Sequence, residues 1–216
     1  MELLLVRHAL PVRRELVEGV ADPELAPDGR TQADRLAAYL ASEKIDAVYV
    51  SPLKRAIETA APLAAKIGIS PVVEEDISEF DRNSKEYVPI EELRGTDDPR
   101  WLKMIRGEWE DGHDDPELFR QRVIAACERI IERHPGERVV AVCHGGVINQ
   151  YLAHILGIET QLGFFYPQYT SIHRVVASRN GLRSLSTLNE IAHLRDYLSA
   201  ASAAANNYFS AASAAS

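Results

Sequence analysis

Residues Leu3-Leu4-Leu5-Val6-Arg7-His8 run from unbroken apolar side chains straight into a guanidinium and an imidazole. An apolar run without alternation reads as a strand covered on both faces, which belongs to a parallel sheet with helices on either side. The pattern recurs in Val139-Val140-Ala141-Val142-Cys143, which ends on His144, and more weakly in Asp46-Ala47-Val48-Tyr49-Val50, which ends in Ser51-Pro52. In open α/β sheets ligands bind beyond the carboxyl ends of the strands. Arg7 with His8, Ser51 with Arg55 one turn on, and His144 with Gly145 and Gly146 are therefore expected along one sheet edge. From the Arg7-His8 pair alone, a strand end showing two polar residues to water is the simpler reading. Convergence of the other strand ends on the same edge overturns it.

Helical spacing supplies the covering layers. Ala33, Leu36, Ala37 and Leu40 repeat after Asp28, which reads as an N-cap, and Ala56, Ala60, Leu63, Ala64 and Ile67 repeat after Ser51-Pro52, with Ser51 as cap and Pro52 at the first helical position. Asp115-Pro116 opens a helix with Phe119, Val123, Ala126, Cys127, Ile130 and Ile131 on its buried face, and a further helix follows His144. Ile172–Ala177 and Leu182–Leu188 flank Asn180-Gly181, a hairpin expected near a sheet edge. One domain over residues 1–198 is predicted, with the charged and aromatic stretch 77–115 as a partly helical lid or insertion over the site. The Ala/Ser-rich residues 199–216, with Tyr208 and Phe209, form a tail.

Charge narrows the partners. The 24 basic against 32 acidic residues, a net charge of −8, argue against the basic face that nucleic acid or an anionic membrane surface requires. A local cationic pocket is still compatible with this balance, and Arg7 and Arg55 supply planar forks that match phosphate oxygens. Gly145 and Gly146 let backbone approach a ligand closely, and the helix N-termini behind Ser51 and His144 would point their N–H groups at the same spot. No carboxylate cluster suggests a metal, and no Cys/His spacing suggests zinc; the 2 cysteines, Cys127 and Cys143, read as buried thiols of a reducing compartment. No run reaches the length of a membrane span or signal peptide, so a cytoplasmic protein without cofactor is the expectation, its pocket suited to a phosphate dianion.

At this point the chain resembles the histidine phosphatase superfamily, also called phosphoglycerate mutase-like, and its smaller, largely bacterial and metabolic branch. Arg7-His8 is similar to that family's Arg-His-Gly signature, with Ala9 in place of the glycine. Leu25-Ala26-Pro27-Asp28-Gly29-Arg30-Thr31-Gln32-Ala33 is similar to its second segment, and Ser51-Pro52-Leu53-Lys54-Arg55-Ala56-Ile57-Glu58-Thr59-Ala60 to its most recognisable one. His144-Gly145-Gly146 completes the set. The resemblance implies a three-layer α/β/α sandwich with a mostly parallel central sheet. It also implies that His8 is a nucleophile that becomes phosphorylated, that Arg7, Arg55 and His144 surround the phosphoryl group, and that the partner is a small-molecule phosphate monoester with inorganic phosphate as product. An acidic residue after the third strand region serves the family as general acid, and Ile77-Ser78-Glu79-Phe80 matches that place, which assigns Glu79 with Asp81 as the alternative. Arg14 stands where many members carry a phosphate-contacting asparagine and is expected to add a cationic contact. Thr170 and Ser171 lie near a segment that closes the pocket in relatives. Many relatives pair through sheet edges or tails, which leaves a homodimer open.

Hydrolase and mutase share this chemistry and differ in whether water or a second hydroxyl takes the phosphoryl group. A bisphosphoglycerate-dependent mutase must hold a second anionic end. Between Phe80 and Gln121 the basic residues (Arg82, Lys85, Arg94, Arg100, Lys103, Arg106, Arg120) are outnumbered by acidic ones. This favours a phosphomonoesterase, with the mutase as alternative; a phosphate-binding module without turnover ranks third, because Arg7, His8, Arg55 and His144 are all present.

Overall fold

The computed structural model describes residues 1–93, 96–106, 108, 112, 114–160 and 163–197. The tail expected over 199–216, together with Arg94 and Trp109, lies outside them. In chain order the elements are β1 (Glu2–Arg7), β2 (Arg14–Glu15), α1 (Pro27–Leu40), β3 (Ala47–Val50), α2 (Lys54–Ile67), β4 (Val72–Val73), β5 (Glu86–Tyr87), α3 (Ile90–Leu93), α4 (Pro99–Ile105), α5 (Pro116–Arg133), β6 (Arg138–Cys143), α6 (Gly145–Leu156), β7 (Ile172–Ala177) and β8 (Arg183–Glu190). The central sheet runs β4-β3-β6-β1-β7-β8. Its first four members are parallel, whereas β7 runs antiparallel to β1 and β8 antiparallel to β7.

The apolar strand runs are explained by burial on both faces. Leu4, Val6, Val48, Val50, Val140 and Val142 pack against α1 and α2. Their alternates Leu3, Leu5, Tyr49, Val139, Ala141 and Cys143 pack against α5 and α6. The fold is thus an α/β sandwich of three layers. The hairpin over Asn180-Gly181 forms as expected, with Gly181 at φ 91° and β8 on the sheet edge. No described helix is long and apolar enough to cross a membrane.

Two helix starts differ from expectation. Pro27, not Asp28, opens α1, with Ala26 as the flanking residue. A proline ring is already set for the first helical position, and Asp28 falls in the first turn, where its charge complements the helix dipole. Helix α2 begins at Lys54 behind Leu53, not at Ser51-Pro52. Ser51 is fully buried and its hydroxyl is held by His144 at 2.7 Å, so it serves the sheet edge and not the helix end. Asp115 does cap α5, its carboxylate accepting from the N–H groups of Glu117 and Leu118.

Candidate active site

β1, β3 and β6 lie side by side in parallel, so their carboxyl ends bring Arg7 and His8, Ser51 and His144 together. All are buried: Arg7 is 6 % exposed, His8 2 %, and Ser51 and His144 are fully enclosed. The His8 N–H donates to Cys143 O at 2.9 Å, tying β1 to β6 at the point where each delivers its histidine. The rings of His8 and His144 stand 5.1 Å apart between centroids.

His8 Nδ1 lies 2.8 Å from the carbonyl oxygen of Ala9. A carbonyl can only accept, so Nδ1 carries the proton and Nε2 keeps its lone pair. The imidazole is held neutral, its pKa well below the ordinary range, first because it is buried and then because Arg55 and Arg7 stand beside it; the Ala9 carbonyl opposes this. A neutral imidazole with a free Nε2 is the nucleophilic form.

His144 is anchored across the sheet edge. Its Nε2 meets Ser51 Oγ, which also accepts the Leu53 N–H at 3.4 Å. The Ser51 hydroxyl can donate to Nε2 or accept from it, and the other ring nitrogen, Nδ1, is buried with no partner among the described residues. Burial, then Arg55, His8 and Arg7, keep this ring neutral as well.

Both arginines are held by aromatic faces. The Arg7 guanidinium stacks 4.0 Å from the Tyr169 ring centroid, and its Nη1 donates to Pro167 O at 2.6 Å and to Tyr166 Oη at 3.1 Å. Arg55, 1 % exposed, lies 4.7 Å from the Tyr87 ring and donates to Asp81 Oδ1 at 3.3 Å, with Asp22 Oδ1 at 3.9 Å. Cation–π contacts of this kind are worth about 0.5–2 kcal/mol each. They fix the planes of the forks without neutralising their charge, and Arg55 Nε is an enclosed donor without an acceptor among the described residues.

Glu79 reaches the same edge from the segment after β4. Its carboxylate accepts the Gly146 N–H at 3.0 Å and the Phe80 N–H at 2.9 Å, which seats it at the N-terminus of α6. Burial, and then the charge of Asp81, raise its pKa; the two N–H groups and Arg55 oppose the rise. A side chain on Gly146 would collide with the Glu79 carboxylate, whereas Gly145 has room, its nearest neighbour being Arg7 Nε at 3.8 Å. Of the glycine pair, Gly146 is therefore the one that the packing of Glu79 requires, and Gly145 is the one facing the arginine. The segment bearing Glu79 is pinned from α5 by Arg122, which donates to Asp76 O, Ser78 O and Glu79 O at 2.8, 2.9 and 3.3 Å.

Arg14 lies on β2 beside the site, and its guanidinium donates to Glu24 at 2.7 Å. Thr170 is buried at φ 56°, a left-handed conformation uncommon for a β-branched residue, and its N–H donates to Arg7 O at 3.1 Å. Its hydroxyl is shared with Tyr169 O and His193 Nε2, so this turn holds Tyr169 over Arg7. Tyr87, Tyr166, Tyr169 and Arg122 were not singled out as site residues from the sequence. The one available signal was strand direction: β7 enters the sheet antiparallel beside β1, which places the residues before Ile172 at the carboxyl edge of β1. Among the described residues no group of three or more His, Cys, Asp or Glu side chains could hold a metal ion.

Comparison with known proteins agrees with this geometry. Over 205 residues the chain is 28 % identical to Phosphoserine phosphatase 1 of Hydrogenobacter thermophilus, covering 91 % of this chain and 96 % of that one. It is 35 % identical to Phosphoglycerate mutase-like protein 4 of Arabidopsis thaliana over 159 residues, covering 68 % and 67 %. The crystal structure of a phosphoserine phosphatase from Entamoeba histolytica in complex with 3-phosphoglyceric acid superposes with a TM-score of 0.69 at 26 % identity, over 89 % of this chain and 98 % of that one. The family model of the histidine phosphatase superfamily, branch 1, matches residues 3–190, and the chain belongs to that superfamily.

Proposed function

We propose that the protein is a metal-independent phosphomonoesterase that works through a phosphohistidine on His8. Family membership and the phosphatase relatives support a phosphoric monoester hydrolase. The observation that carries the finer reading is the Nδ1 bond of His8 to Ala9 O, which turns a neutral Nε2 toward chemistry between two enclosed arginines. Nε2 attacks phosphorus in line with the ester oxygen. Arg7, Arg55, His144 Nδ1 and the Gly145 N–H take up charge on the equatorial oxygens. Glu79, its pKa raised, gives its proton to the departing alkoxide and then draws one from the water that releases inorganic phosphate.

Hydrolysis is favoured over isomerisation by the state of the other cations. Arg82 pairs with Asp114, Arg100 with Asp98 and Glu86, and Arg120 with Glu117. Recruiting any of these to a second anionic end of a substrate would break an existing pair. Arg14 donates to Glu24 through Nη2, and its other N–H groups would supply the phosphate contact. The substrate class is a small phosphate monoester, and phosphoserine and 3-phosphoglycerate belong in the first panel because relatives carry those names.

Phosphate release with chelator present, measured on alkyl and aryl monoesters beside an isomerisation assay with 3-phosphoglycerate and bisphosphoglycerate, tests the proposal. Hydrolysis without isomerisation is expected, and rapid isomerisation would make the protein a mutase. Glu79→Gln should slow alkyl esters by about 10²- to 10³-fold, because their alkoxides need the proton, and p-nitrophenyl phosphate by less than about 10-fold. Equal losses on both would move the acid to Asp81.

A further inference from the structure

The segment Leu25–Ala33 contributes no group to the phosphoryl pocket described above, yet its backbone and side chains converge on one peptide. Gln32 is buried on α1, and its Oε1 accepts the Leu10 N–H at 3.0 Å. Leu10 O accepts the Ala26 N–H at 3.0 Å, and a side chain at Gly29 would run into that same carbonyl. Helix α1 thus meets the chain at Leu10 with backbone against backbone.

The peptide joining Ala9 to Leu10 carries both the N–H held by Gln32 and the C=O that accepts from His8 Nδ1. Because the peptide is planar, fixing one end fixes the other. On its far side, Ala9 N–H donates to Thr59 Oγ1 at 2.9 Å, and the Thr59 hydroxyl donates to Arg55 O at 2.6 Å. Ala9 is therefore clamped from α1 by Gln32 and from α2 by Thr59, and its carbonyl has no freedom to turn from the imidazole. A donor in place of Oε1 could not accept the Leu10 N–H, so the amide orientation of Gln32 is set as well.

We propose that Gln32 is a positioning residue for the nucleophile: by holding the Ala9–Leu10 peptide it keeps the His8 proton on Nδ1 and the lone pair on Nε2. This rests on the phosphohistidine reading above, and the readout is chosen to separate the two. The hydrogen bond also polarises the peptide, strengthening the carbonyl as an acceptor.

The experiment is ¹⁵N NMR of the histidine rings in the full-length protein at pH 7, with kinetics on p-nitrophenyl phosphate and urea midpoints on the same samples. Wild type is expected to show His8 protonated at Nδ1 only. Gln32→Leu should give His8 a mixed tautomer signal and lower kcat about 10- to 100-fold, with KM within about 3-fold, since the arginines that bind phosphate are untouched. Gln32→Glu keeps an acceptor oxygen at the same reach and should restore the spectrum and most of kcat. A folded Gln32→Leu with the wild-type His8 spectrum, or with unchanged kcat, overturns the proposal. Gln32→Met, of similar length but without the acceptor oxygen, gives the same comparison and decides the matter if Gln32→Leu does not fold. Should the wild type release no phosphate, the proposed function fails, and the His8 spectrum alone then decides the role of Gln32.

Discussion

His8→Ala should abolish phosphate release, by at least about 10⁴-fold, in a protein that still folds. On the proposed mechanism the loss is large, because the imidazole would divide the reaction into two displacements and the arginines alone would only position a water. Folding should survive because the His8 backbone N–H keeps its bond to Cys143 O, while the side chain loses a bond to Ala9 O, within its own segment. His144→Ala should cost less, about 10²- to 10³-fold, since His144 is engaged with Ser51 and would act on charge in the transition state. A folded His8→Ala protein with normal activity would end the assignment of the nucleophile, and a larger loss in His144→Ala than in His8→Ala would exchange the two.

Acid should destabilise the protein steeply, from the same burial that keeps the His8 ring neutral. His8, His144, His173 and His193 are all buried, and burial lowers each pKa, to about 3 for His173 and about 4 for His193. The unfolded chain protonates its histidines near pH 6.5, so below that value it binds more protons than the native state does. The stability they contribute is fully present above about pH 7 and drains away as pH falls from about 6.5 toward their native pKa values. Each histidine loses about 1.4 kcal/mol per pH unit in that window. Glu79 works the other way, because its raised pKa favours the native state as protons become available. The net expectation is a loss on the order of 5 kcal/mol between pH 7 and pH 5, a large part of a domain's usual 5–15 kcal/mol. Urea midpoints across this range measure it, and the fall should be smaller in His8→Ala, which carries one such histidine fewer. A flat midpoint from pH 7 to pH 5 would mean that these rings are not held neutral.

The parts of this molecule that follow strong local rules were legible before the structure. Leu3–Val6 and Val139–Cys143 could only be strands covered on both faces, and from their parallel pairing the meeting of His8 with His144 follows. What could not be read was anything that depends on the exact course of a loop. Ser51 looks like a helix cap in sequence, because a serine before a proline commonly is one, but the buried His144 ring competes for its hydroxyl and wins. Tyr87, Tyr166 and Tyr169 carry no spacing that marks them, and they reach Arg7 and Arg55 only through a two-stranded pairing and a strained turn at Thr170. Glu79 was assigned from family likeness, and the structure brings its carboxylate to the N-terminus of α6, at the edge where His8 and His144 meet.

The most direct test of the account is to catch the phosphoryl group on the enzyme. Wild-type protein mixed with excess substrate, quenched within milliseconds in alkali and digested, should yield one peptide heavier by a phosphoryl group on His8, labile to acid and stable to base. The adduct should build up further in Glu79→Gln with p-nitrophenyl phosphate, where the first step needs no proton but the hydrolysing water has lost its base. An active enzyme that carries no such adduct, or carries it on another residue, would contradict a mechanism built on the Nε2 lone pair of His8.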